Sequence, residues 1–79
     1  MVRVSSFDSA KVPPLGVYRH YKGTDYRLVA IAEHEANGDL YAVYHAVSNP
    51  KQIWIRPLKV FIETIHVDGS THPRFRLVS

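Results

Sequence analysis

Apolar and polar positions alternate over short distances along this chain, and no stretch sustains a period of 3.6 residues. Val17 to Lys22 reads as a short strand rich in aromatic residues, followed by a turn at Lys22-Gly23-Thr24-Asp25. Tyr26 to Glu35 is the longest expected strand, Asn37-Gly38 is a strong short-range hairpin signal, and Leu40 to Val47 returns. After a loop at Ser48-Asn49-Pro50-Lys51, Ile53 to Arg56 predicts a strand that Pro57 stops. Pro57 to Phe61 suits one helical turn with proline at its first position. Ile62 to Val67 and Thr71 to Val78 then pair around a second turn at Asp68-Gly69. Ahead of Gly16, the pair Pro13-Pro14 forbids regular pairing, so residues 1–15 read as an N-terminal arm and residues 16–79 as one small β-domain.

The expected fold is mainly β: a small SH3-like barrel or a strongly bent antiparallel sheet of five to six short strands, with one short helical turn. The break at Pro57, just before the last hairpin, is the feature that resembles SH3-like barrels. Each hairpin carries a register expectation. A two-residue Asn37-Gly38 loop sets His34 opposite Tyr41, Ala32 opposite Val43 and Ala30 opposite His45. One face then carries Leu28, Ala30, Ala32, Val43 and Val47 and is the expected core face. A three-residue loop with a bulge at Gly38 reverses the returning strand relative to its partner. A two-residue Asp68-Gly69 loop sets Glu63 opposite Arg74 and Ile62 opposite Phe75.

Composition narrows the function classes. A hydrophobic share of 46% against a charged share of 22% excludes a wholly disordered chain of these 79 residues. The longest unbroken apolar run, Leu28 to Ala32, is far short of the roughly 20 residues of a membrane helix, and no signal peptide or membrane partner is expected. The absence of cysteine removes disulfides, cysteine zinc sites and thiol catalysis, and points to a reducing cytoplasm. A net charge of +3 suits an anionic partner but also an ordinary soluble surface. So small a core is marginal, which keeps a homodimer among the expectations.

Candidate chemistry lies in polar and aromatic groups placed within strands. Arg19 and Tyr21 alternate with His20, while Trp54 and Arg56 share the face opposite Ile53 and Ile55. Were the first and fourth strands neighbours, Arg19, Tyr21, Trp54 and Arg56 would line one groove. Guanidinium forks beside flat rings suit a carboxylate, a phosphate or a stacked base. The plainer reading makes Trp54 and Tyr21 core residues, with the arginines paired to Glu33, Glu35 or Glu63. The five histidines fall on separate strands or loops without a paired ligand motif, so no metal site and no cofactor is expected. No serine elbow or phosphate-cradling glycine loop is present, and a chain this small has little room for a water-excluding pocket.

The run Gly16-Val17-Tyr18-Arg19-His20-Tyr21-Lys22-Gly23, followed by Tyr26, resembles a bacterial family catalogued as domain of unknown function 1653. So do Ala32, His34, Val43-Tyr44, Trp54-Ile55-Arg56-Pro57-Leu58, Phe61, Val67-Asp68-Gly69 and Pro73-Arg74-Phe75. The resemblance spans Gly16 to about Leu77; where the family usually has arginine after the Val-Tyr pair, this chain has His45, and Glu35-Ala36-Asn37 replaces the usual Ser-Glu-Thr after the histidine. The resemblance implies a bacterial protein and carries no established activity. Together these readings lead to an expectation of a cytoplasmic binding module. Its ligand is anionic (nucleic acid, nucleotide or acidic peptide), and its surface combines Arg19, His20, Tyr21, Tyr44, Trp54 and Arg56. The alternatives are a small enzyme or enzyme subunit using His20 or His34, with no catalytic residue assigned, and a structural homodimer without ligand. Nucleic acid and protein both stand as expected partners.

Overall fold

The structure is a computed structural model that describes residues 12–79; most of the N-terminal arm, residues 1–11, lies outside them. Seven strands and one helical turn follow in the order β1 (Gly16–His20), β2 (Asp25–Glu33), β3 (Leu40–Ala46), β4 (Trp54–Pro57), α1 (Leu58–Phe61), β5 (Thr64–Val67), β6 (Ser70–Pro73) and β7 (Phe75–Leu77). Five strands form one antiparallel sheet in the order β4-β3-β2-β1-β7, and β5 pairs with β6 in a separate ribbon. The fold is therefore mainly β with one short helix. The large sheet stays open, with β4 and β7 as its edges. This corrects the barrel half of the expectation: the chain spends β5 and β6 on their own ribbon and brings β7 to β1, at the edge remote from β4.

The ribbon follows directly from its turn chemistry. Asp68 and Gly69 both have positive φ, at 51° and 77°, the backbone a two-residue I′ loop requires. Val67 therefore pairs with Ser70, and Thr64 with Pro73. One step further on, the Arg74 N–H donates to the Glu63 carbonyl at 2.9 Å, and its guanidinium Nη2 meets Glu63 Oε1 at 2.6 Å. The strand expected over Thr71 to Val78 breaks at Arg74. There the Arg74 carbonyl accepts the Tyr21 N–H at 3.0 Å, so this residue ties the ribbon to the large sheet. Ile62 does not face Phe75: it ends α1, while Phe75 pairs with His20.

The first hairpin departs from its expected register. Glu33 and Leu40 are the last pair, and the loop between them is closed by His34 N–H to Asp39 O at 2.7 Å and Gly38 N–H to His34 O at 2.8 Å. The Asn37 side chain accepts the Asp39 N–H at 2.9 Å, a local hydrogen bond that holds the wider loop. Ala32 consequently faces Tyr41, and a bulge between Leu28 and Ala30 sets Leu28 opposite Tyr44. The reason is burial. Leu28 and Ile31 fall on opposite faces of a regular strand, and one extra residue, the exposed Val29, turns both toward the core. The buried side of β3 is then Ala42 and Tyr44, with Val47 exposed.

The inner face of the sheet meets α1. Leu58 and Phe61, three apart, lie on one side of the helical turn and are both buried. Phe61 stacks on Phe75 with ring centroids 4.3 Å apart and meets the edge of Tyr18 at 5.3 Å. Tyr18, Leu28, Ala42 and Tyr44 complete the core. The buried Tyr18 hydroxyl donates to the Pro14 carbonyl at 2.6 Å, and burial pushes its pKa up.

Candidate ligand groove

Because α1 is only four residues long, it covers one end of the inner sheet face and leaves the other open. Strand alternation brings His20, Tyr26, Tyr44, Trp54, Arg56 and Phe75 to that face, from β1, β2, β3, β4 and β7. They line a groove of about 340 Å³. Its floor is aromatic: Tyr26 meets Tyr44 at 5.5 Å and Phe75 at 5.7 Å, both edge-on, and His20 meets Phe75 at 4.9 Å. Trp54, on the edge strand, is 47% exposed and forms one wall. Asn49 and Gln52, joined at 3.4 Å, stand on the rim.

Arg56 supplies the charge. Its Nε donates to the Tyr44 hydroxyl at 3.1 Å, and its guanidinium carbon lies 5.6 Å from the centre of the Phe75 ring. Among the described residues the salt bridges are Arg19–Asp25 and Arg74–Glu63, and no carboxylate pairs with Arg56. Its remaining N–H groups are therefore not spent on an acidic partner. His20 Nδ1 accepts the Lys22 N–H at 3.2 Å, which places the proton of the neutral ring on Nε2. Burial holds the His20 pKa below its ordinary value, and the positive charges of Arg56, Arg74 and Lys22 lower it further. The groove is thus rich in donors and positive in potential.

The six residues singled out from the sequence do not form one surface. In β1 it is His20 that faces Trp54 and Arg56; Arg19 and Tyr21, which alternate with it, do not share that groove. They line a second groove of about 250 Å³ with His72 and Arg76, between β1, β7 and the β5–β6 ribbon. Arg19 is held by Asp25, with Nε to Oδ1 at 2.8 Å, and this contact lowers the Asp25 pKa. His20, expected to alternate with Arg19 and Tyr21, is the residue common to the two grooves. Tyr26 and Phe75 were missing from the expected set. Phe75 reaches the site only through the pairing of β7 with β1, which no local pattern signals. Among the described residues no three His, Asp or Glu side chains converge as metal ligands would. His45, buried on β3 next to Tyr44, bonds through Nδ1 to the Ala46 carbonyl at 2.7 Å and does not line the groove.

A family model described as "Protein of unknown function (DUF1653)" matches residues 16–77, a span that contains every residue of both grooves. The chain belongs to the DUF1653 family. The crystal structure of a DUF1653 protein from Bordetella bronchiseptica is similar, with a TM-score of 0.73 and 29% identity over 84% of this chain and 87% of that one. No curated protein matches the chain. Among the described residues no helix is long and apolar enough to cross a membrane.

Proposed function

We propose that this DUF1653 protein is a binding module that holds an anionic ligand bearing a flat group in the groove between Trp54 and Phe75. The observation that carries the reading is Arg56: a guanidinium braced by the Tyr44 hydroxyl, set over an aromatic ring and paired with no carboxylate among the described residues. A planar fork of this kind suits a phosphate or carboxylate, which it contacts with two parallel N–H groups. The His20 Nε2–H and the Tyr44 O–H, whose oxygen already accepts from Arg56, add neutral donors. Trp54 offers a half-open indole on which a planar group stacks.

The single tryptophan of the chain makes the test direct, because its fluorescence reports on the groove wall. A nucleoside monophosphate should change the Trp54 emission saturably, and the matching nucleoside without phosphate should do so more weakly by roughly tenfold or more. Equal response to both would contradict an anion site at Arg56.

A further inference from the structure

The two grooves are not independent, and their junction specifies more than an anion. Rings run from one to the other in contact: Tyr21 to His20 at 4.5 Å, His20 to Phe75 at 4.9 Å and Phe75 to Tyr44 at 5.7 Å. Each groove repeats the same pair of groups. The first holds Arg56 and the half-exposed Trp54; the second holds Arg76 and the 41% exposed Tyr21. Arg76, like Arg56, pairs with no carboxylate among the described residues, while Arg19 across from it is occupied by Asp25. At the junction stands His20, with a donor on Nε2.

We infer that the ligand is a single-stranded nucleic acid that lies across both grooves, passing over His20, with one phosphate at Arg56 and a further one at Arg76. The inference rests on the anion-binding reading above and extends it. Repeated cation-and-ring units match a chain whose phosphates and bases also repeat, and every base has a face to stack whatever its identity. A duplex keeps its base faces within its own stack and out of reach of Trp54 and Tyr21. An acidic peptide satisfies the arginines but leaves the exposed rings without flat partners.

Calorimetric titration of the full chain with thymidylates of one, two and four nucleotides, and with the matching uridylates, tests this. The tetranucleotide, in the DNA or the RNA series, should bind at least about tenfold more tightly than the mononucleotide, since each added stacked base strengthens binding by roughly that factor. Two neutralised phosphates give a log–log salt slope of about −1.4. In Tyr21→Ala and Arg76→Gln, both at surface positions, the gain with length should disappear while the saturable Trp54 response to a mononucleotide in the first groove persists, and Arg76→Gln should flatten the slope by about 0.7. A tetranucleotide no tighter than a mononucleotide that still depends on Arg56 would overturn the two-groove path and leave the single anion site standing. A duplex or an acidic peptide that binds as tightly as the tetranucleotide would overturn the single-strand assignment. Failure of all these ligands to bind would remove both readings.

Discussion

Replacing Phe61 by alanine removes the side chain through which α1 grips the sheet, and its effect follows from the packing. Phe61 is 1% exposed, stacks on Phe75 at 4.3 Å and touches Tyr18 and Tyr44. A buried aromatic side chain removes roughly 150–250 Å² from water, equivalent to about 4–6 kcal/mol at ~25 cal/mol/Å². Residual burial in the unfolded chain reduces this, and a phenylalanine-to-alanine change in a core costs about 3–5 kcal/mol. At about 0.05–0.15 kcal/mol per residue, a domain of 79 residues has roughly 4–12 kcal/mol in total. The substitution thus consumes a large share of stability. Urea titration followed by far-ultraviolet circular dichroism and by Trp54 fluorescence should show the midpoint falling by about 1.5–5 M at a slope of roughly 1–2 kcal/mol/M. Phe61→Leu should fall by much less, about 1 kcal/mol. A loss below about 1 kcal/mol for the alanine variant would refute the docking of α1, and with it the support beneath Phe75 at the groove floor.

Gly16 has φ +150°, and a Cβ there would lie 2.7 Å from the Ser79 backbone oxygen, so Gly16→Ala should cost about 1–3 kcal/mol and lower Tm by several degrees; an unchanged Tm would contradict the seating of the C-terminal residues beside β1. His20 has a folded pKa below its unfolded value of 6.5, so its contribution to stability is fully present above about pH 6.5 and is lost as pH falls from there through the folded pKa. Urea midpoints measured across that window should decline less steeply for His20→Gln than for the natural chain, and identical slopes would contradict the shift. Proton NMR of the His20 ring should show its pKa rising when an anion occupies the Arg56 site, because a negative charge nearby favours the protonated ring.

The legible parts of the fold are those set by local chemistry. Asp68-Gly69 fixes both its own conformation and the register of β5 on β6, so the meeting of Glu63 and Arg74 follows from the sequence. Asn37-Gly38 locates the other turn but not its register, because the Asn37 side chain holds a wider loop there. The bulge at Val29 answers a demand of the whole core, the burial of Leu28 together with Ile31, that strand alternation by itself cannot express. The site divides in the same way. Trp54 and Arg56 lie two apart on one strand, so their common face is readable. Which strand lies opposite them is not. Two strands intervene between β1 and β4, and Phe75 arrives from the far end of the chain through long-range pairing with His20.

The central claim is that Arg56 reads the anion, and Arg56→Lys tests it most directly. Lysine keeps the positive charge but loses the planar fork and the Nε bond to the Tyr44 hydroxyl. Titration of a nucleoside monophosphate against Trp54 fluorescence, with the urea midpoint of the same variant measured alongside, should show affinity falling by about tenfold, or ~1.4 kcal/mol, while stability changes by less than about 1 kcal/mol. An affinity that does not change, or one that falls only as far as the fold itself is lost, would contradict the claim and make Arg56 a structural residue.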